Sequence, residues 1–304
     1  MEALMRNFFL SLGRSRRAGQ LAARYGLRMG ARRFVAGATI REAVETVKRL
    51  NEQGKLATLD HLGEFVGDEK EAAIAADMCL QTLDAIAEAG VQSNLSLKLT
   101  SLGLDVSPEL CRHHMRLILN RAASLGNFVR IDMEDYAHCQ PALDLYKELR
   151  QEYGNVGIVI QAYLRRSGQD ICELGEASAS NLRLVKGAYK ESEQVAYPQK
   201  SEVDKQFVML IREQLKYGYA AIATHDREVI KASAAWIKAN DIHQDRFEFQ
   251  MLYGISEDLQ DQLTKEGFRV RIYVPYGGDW FGYFMRRLAE RPANVWFVLK
   301  NMWK

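Results

Sequence analysis

Eight short apolar runs, each ending on polar residues or glycine and separated by stretches of helical periodicity, pattern this chain. That alternation confines it to a parallel α/β architecture. The runs are Leu56–Leu59, Leu95–Leu97, Phe128–Ile131, Val156–Ile160, Leu182–Val185, Ala220–Ala223, Phe247–Met251 and Val270–Val274. Repeated strand–helix units of this number predict a (β/α)8 barrel of the TIM type, which opens the C-terminal ends of all its strands onto one rim. Residues far apart in sequence therefore meet there, among them Lys98, Asp132, Gln161, Lys186, Gly187, Thr224 and His225, each just after a run.

The intervening segments carry helix signals. From Ala38 to Leu50, Val44, Val47 and Leu50 share one face, and turn-prone Asn51 and Gly54 follow. Ser107, Pro108 and Glu109 supply an N-cap, a first-turn proline and an early acid for the helix after the second strand. Asp226 to Ala239 and Asp279 to Arg291 read as further helices. No GxGxxG follows the first strand and no P-loop motif occurs, so neither a Rossmann fold nor a P-loop is expected.

A barrel of this kind occupies about 250 residues. The 304-residue chain accommodates one, with an N-terminal helical segment (1–50) packing on a catalytic barrel (51–304) in a single domain. Its 41 basic and 39 acidic residues leave a net charge of +2, too balanced for the broad positive field that nucleic acid requires. Cys79, Cys111, Cys139 and Cys172 lack the spacing of a zinc site or a disulfide framework and read as reduced cytoplasmic thiols. The histidines lack metal-ligand spacing, and no run reaches the roughly 20 apolar residues of a membrane span. Up to Gly37 the chain is strongly basic, with Arg6, Arg14, Arg16, Arg17, Arg24, Arg28, Arg32 and Arg33 against Glu2 alone. A mitochondrial transit peptide shares that bias. The helical spacing of Phe8, Phe9, Leu12, Leu21, Tyr25 and Met29 favours instead short helices beside the barrel, whose basic face can also touch anionic lipid.

On the rim, Lys98 must be compensated, because an unpaired ammonium loses its proton when buried. It reads as a Schiff-base amine, an anion clamp or half of an ion pair whose counter-charge is Asp132, one strand along. Arg183 and Lys186 flank the fifth strand's end and Gly187 permits close backbone approach, which suits an anionic ligand; a solvated arginine and a turn glycine are the plainer alternative. His225 is a ligand donor, a base or a satisfied rim histidine. Arg286 and Arg287 can clasp one carboxylate if the last helix lies across the mouth, or else complement that helix's dipole.

Taken together, Ser96-Leu97-Lys98, Ile131-Asp132-Met133-Glu134, Gln161-Ala162-Tyr163, the stretch from Arg183 to Tyr189, Ala223-Thr224-His225, Arg271-Ile272-Tyr273 and Arg286-Arg287-Leu288-Ala289-Glu290 resemble the proline dehydrogenase family, in the family's order. The likeness is to the short, monofunctional bacterial form, since no aldehyde dehydrogenase module follows. It implies a distorted barrel that holds FAD noncovalently and oxidises L-proline to Δ1-pyrroline-5-carboxylate by hydride transfer to flavin N5. Electrons then pass to a quinone, in the first step of proline catabolism to glutamate. By the same resemblance Asp132 and Arg183 are the candidate catalytic residues, Arg183 lying near N5. Lys98, Tyr273, Arg286 and Arg287 bind the substrate, and Met133, Gln161, Lys186, Gly187, Ala188, Thr224 and His225 join Arg183 around the flavin. Glu64 gates the site by pairing with Arg286. The expected location is the cytoplasm, with peripheral contact at the inner face of the cell membrane. Two rivals remain open: a Schiff-base aldolase using Lys98 or Lys186, which leaves the paired arginines unexplained, and a noncatalytic ligand-binding barrel, which would be colourless.

Overall fold

Every expected apolar run forms a strand, and the eight close into one parallel barrel in sequence order. The structure, a computed structural model, describes residues 31–290 except Glu64 and Ser178, without the side chains of Ala31 and of 286–290. The basic segment before residue 31, the gate residue Glu64 and the side chains of Arg286 and Arg287 thus lie outside the described residues.

The strands are β1 (Leu56–His61), β2 (Ser93–Leu97), β3 (Val129–Ile131), β4 (Val156–Gln161), β5 (Asn181–Val185), β6 (Tyr219–Ala223), β7 (Phe247–Leu252) and β8 (Val270–Tyr276). Closure comes from β1 lying parallel to β8, from Leu56 opposite Arg271 to His61 opposite Tyr276. Helix α1 (Ile40–Glu52) precedes β1. After β1 to β7 come, in turn, α2 (Glu69–Ala89), α3 (Pro108–Ser124), α4 (Tyr136–Glu152), α5 (Ser167–Ala177), α6 (Lys200–Tyr217), α7 (Arg227–Ala239) and α8 (Glu257–Lys265), and α9 (Trp280–Glu290) follows β8. Local chemistry sets several starts. Thr39 and Glu42 form a capping box that begins α1 two residues later than the apolar pattern suggests. Ser107 caps α3 with Pro108 in its first turn, and Asp226 caps α7 through the amides of Glu228 and Val229.

Strand alternation sorts the side chains into two shells. Leu59, Leu95, Ile131, Ile158, Leu184, Ile222, Phe249 and Val274 are buried in the apolar core between strands and helices. The alternate positions face the barrel's interior, which is unusually charged: Asp60, Arg130, Arg183 and Glu248 are each at most 4% exposed. Buried charge is costly unless it is paired. Arg130 is satisfied by the carbonyl oxygens of Asn181 at 2.6 Å and Ile158 at 3.2 Å, and by the Asn181 side chain at 2.5 Å. Gly157 leaves the room, since a Cβ there would stand 2.3 Å from Arg130 Nη1.

A second apolar cluster joins Phe34 and Val35, ahead of α1, to Leu62, Ile255 and the α9 residues Trp280, Tyr283, Phe284 and Met285. The Ala36 amide donates to the Pro275 carbonyl at 2.9 Å and the Gly277 amide to Gly37 at 3.0 Å, so this leading stretch is laced to the loop that launches α9. Among the described residues, no helix is long and apolar enough to cross a membrane.

Candidate active site

A cavity of about 520 Å³ opens at the C-terminal ends of the strands. Lys98, Asp132, Met133, Gln161, Arg183, Lys186, Gly187, Ala188, Thr224, His225 and Tyr273 all line it. They are inward residues of the strands or residues within the first few positions beyond the strand ends, which is why scattered sequence positions share one chamber.

The ion pairing differs from the sequence expectation. Lys98 reaches back to Asp60 on β1, with Nζ 3.1 Å from Oδ2, rather than taking Asp132 as its counter-charge. Asp132 is engaged by Arg183, whose Nη1 donates to Oδ1 at 2.6 Å. That arginine is 4% exposed, which overturns the reading of a solvated side chain. Asp132 Oδ1 also accepts from the Ser96 hydroxyl at 2.9 Å, and Oδ2 accepts from the Tyr273 hydroxyl at 2.7 Å. The Arg183 guanidinium lies 5.2 Å from the centroid of the Tyr273 ring, close enough for a cation–π contribution.

Electrostatics follow from this packing. Burial pushes the Asp60 carboxyl up against the opposing pull of the Lys98 ammonium. Burial, then the charges of Asp132 and Asp60, hold Tyr273 well above the usual phenol value, so its hydroxyl keeps its proton and acts as a donor.

The other end of the cavity is a charge-balanced clasp of two lysines and two carboxylates. Lys186 lies between Asp204 on α6 and Asp226 at the cap of α7, the latter at 2.7 Å, and Lys200 binds the same two carboxylates. Against burial, which raises it, the Lys186 bond and charge hold Asp226 down to about 2. Gly187 has φ of +110°, and a Cβ there would meet the Tyr163 ring at 2.1 Å, so this position requires glycine for both reasons. Gln161 donates its amide to the Glu134 carbonyl at 2.8 Å. His225 Nε2 accepts from the Leu252 amide at 2.9 Å, which places the neutral ring's proton on Nδ1 and removes Nε2 as a base. Helix α9 begins at the mouth, where Tyr283 joins the lining; positions 286 and 287 lie on its final turns.

Sequence reasoning passed over Asp60, Gln250, Tyr189 and Lys200, which also line the cavity. Asp60 had a signal: it directly follows the run Leu56–Leu59, as Lys98 and Asp132 directly follow theirs, although by register it lies level with Ser96. Gln250 had a weaker one: with Glu248 it alternates with Phe247, Phe249 and Met251, the period that puts both polar residues on one face of the strand. Among the described residues, no group of three or more histidine, cysteine or carboxylate side chains is arranged to hold a metal ion.

Comparison with known proteins bears on this chamber. A family model described as proline dehydrogenase matches residues 43–300. Proline dehydrogenase 1 of Bacillus subtilis subsp. natto is 52% identical over 302 residues, covering 99% of this chain and 100% of that protein. The proline dehydrogenase of Deinococcus radiodurans is 41% identical over 280 residues, 90% of each chain. Among solved structures, proline utilization A from Bdellovibrio bacteriovorus, inactivated by N-propargylglycine, superposes with a TM-score of 0.80 at 29% identity. That match covers 86% of this chain and 32% of the larger protein.

Proposed function

The chain belongs to the proline dehydrogenase family, and from that membership we propose that it oxidises L-proline to Δ1-pyrroline-5-carboxylate with FAD as hydride acceptor and a quinone as the final electron acceptor. The observation that carries the proposal is the two-ended cavity, with a compact end at Asp60, Lys98, Asp132 and Tyr273 and a lysine-bearing end where Lys186 and Lys200 are clasped by Asp226. The donor set suits a flavin nucleotide: a fixed guanidinium at Arg183, ammonium groups at Lys186 and Lys200, the Thr224 hydroxyl, and a glycine backbone at Gly187 free of side-chain bulk. When bound, the flavin supplies an acceptor for the hydride at N5.

The protein's part is binding, orientation and exclusion of water. Arg286 and Arg287 take the substrate carboxylate through their forked donors. The Tyr273 ring packs on the proline ring and is kept in place by its bond to Asp132. Arg183 is immobilised beside it, and with Met133 and Gln161 it would hold the flavin. The Lys98–Asp60 pair forms a charge-balanced wall against which the amine sits as the free base, because the nitrogen lone pair must drive the hydride out as the C=N bond forms. Activity therefore rises toward alkaline pH. Glu64 closes over the substrate by pairing with Arg286, which removes water and strengthens every contact inside. The arginine-rich N-terminal sequence would favour contact with an anionic membrane surface, where the quinone resides.

A visible spectrum tests the reading directly. The purified protein should show a flavin band that bleaches anaerobically with L-proline, with pyrroline-carboxylate trapped as product. A colourless protein that reduces no acceptor with proline would overturn it, and borohydride trapping of a lysine would instead favour the aldolase.

A further inference from the structure

Arg183 is held by more than Asp132. Its Nε donates to Gln250 Oε1 at 2.6 Å, and Nη1 donates to Ser96 Oγ at 3.1 Å and to Asp132 at 2.6 Å. Nη2 has no acceptor among the described residues, which leaves that edge for a ligand. Gln250 in turn donates its Nε2 to Glu248 Oε1 at 2.5 Å, two residues back on β7 and also inside the barrel. The same Glu248 oxygen accepts from Arg271 Nε at 2.8 Å, and Arg271 is anchored to the Ala57 carbonyl at 2.7 Å.

An amide side chain can present either its oxygen or its nitrogen to a neighbour. An ionised carboxylate only accepts, so Glu248 admits only the NH2 face of Gln250. That leaves only the amide oxygen for Arg183, and an oxygen is what a guanidinium N–H needs. Donation therefore converges on Glu248 from both sides, from Arg183 through Gln250 and from Arg271 directly, and the carboxylate sets the amide's orientation from below the site. We propose that Gln250, oriented by Glu248, is a positioning residue that fixes the plane of the Arg183 guanidinium and so aims its free edge at the flavin and substrate. The inference rests on the proposed placement of Arg183 beside the flavin.

The experiment uses the FAD-loaded enzyme. Gln250→Leu should lower kcat about 10- to 100-fold, as a small misplacement of a positioned group does. The KM for proline should stay within about twofold, because the carboxylate clamp is elsewhere, and the flavin potential should move in the negative direction as the cation is released. Gln250→Glu provides the readout that a filler role would not give. When protonated, the introduced carboxyl donates to Glu248 and accepts from Arg183, reproducing both bonds; when ionised it repels Glu248 and loses the donor. The groups facing this pair are Arg183 on β5, Arg271 on β8, Arg130 and Asp132 at β3 and Tyr219 on β6, so its titration is a property of the cluster. Relative to the unsubstituted enzyme, Gln250→Glu should be most active at the acid end of the working range and fall as pH rises.

Unchanged kcat and potential in Gln250→Leu, or a Gln250→Glu activity ratio that is flat with pH, overturns the inference. If Gln250→Leu does not load flavin, the Gln250→Glu profile alone decides. Arg183→Met separates the two readings: normal turnover there removes Arg183 from the site and the inference with it. A crippled Arg183→Met beside a normal Gln250→Leu removes the positioning role only.

Discussion

At Asp132 three strands are tied through one carboxylate: β5 through Arg183, β8 through Tyr273 and β2 through Ser96. Tyr273 is thereby fixed by both its ends, the hydroxyl on Asp132 and the ring under Arg183. A ring held so firmly cannot retreat from a substrate bearing an extra hydroxyl. Tyr273→Ser should accordingly narrow the preference for proline over hydroxyproline, mostly by lowering proline efficiency, and the ratio of the two specificity constants measures it. Arg286→Met and Arg287→Met should each raise the KM for proline with flavin content near normal. Losing a charge-assisted bond to a buried carboxylate costs roughly 1.5–3 kcal/mol, or about 10- to 100-fold. At this scale the sequence revealed residue positions better than partners. Lys98 and Asp132 were recognisable as a cation and an anion on neighbouring strands, and the sequence paired them. The observed pairing is Lys98 with Asp60 on the preceding strand and Arg183 with Asp132 two strands away, because each inward side chain can choose among several strands, a choice no local pattern encodes.

Helix α7 illustrates the element scale. Its cap, Asp226, also serves the Lys186 and Lys200 clasp, so one carboxylate starts a helix and holds the two lysines of the cavity wall. The folded-state pKa of about 2 lies below the ordinary 3.8. A depressed carboxylate stabilises the fold above its unfolded value and loses that contribution as pH falls through the folded one. The window is therefore about pH 4 to 2, and the unsubstituted enzyme should lose stability there more steeply than Asp226→Asn, which keeps a cap but not the charge. Urea midpoints across that range check it; parallel curves would mean the clasp is screened away. Element boundaries were legible where a cap announces them, as at Ser107 for α3 and Asp226 for α7. They were less so where apolar spacing alone was read: α1 starts at Ile40 because Thr39 and Glu42 stop the chain from coiling earlier.

The whole molecule was the most legible level, since eight alternations leave few other architectures. What the alternation could not show is that the shell inside the strands is charged while the shell outside is apolar. The residues responsible, such as Arg130, Glu248 and Gln250, are set among hydrophobic neighbours in short runs. The proposed gate belongs to this scale as well, because β1 adjoins β8 and their C-terminal ends stay joined as far as the Leu62 amide on the Tyr276 carbonyl. Glu64→Ala should weaken proline binding and slow flavin reduction in stopped flow while FAD stays bound. Wild-type reduction rates at both low and saturating proline would leave only an exposed pair worth about 0–1 kcal/mol.

The β1–β8 seam also governs the order in which this protein comes into being. Synthesis runs from β1 onward, so Asp60 and Lys98 emerge long before Tyr273, and the first strand waits for its second neighbour until the last has been made. Until then the nascent sheet has two raw edges, on β1 and β7, each a row of unmet amides and carbonyls open to any passing strand. A chain halted before residue 270 is therefore an open ribbon carrying buried-type charges such as Arg130 and Glu248 with part of their shelter missing, a natural client for chaperones or proteases. The enzyme's floor and its closure arrive in one event, which makes half-built versions hazardous as well as inactive.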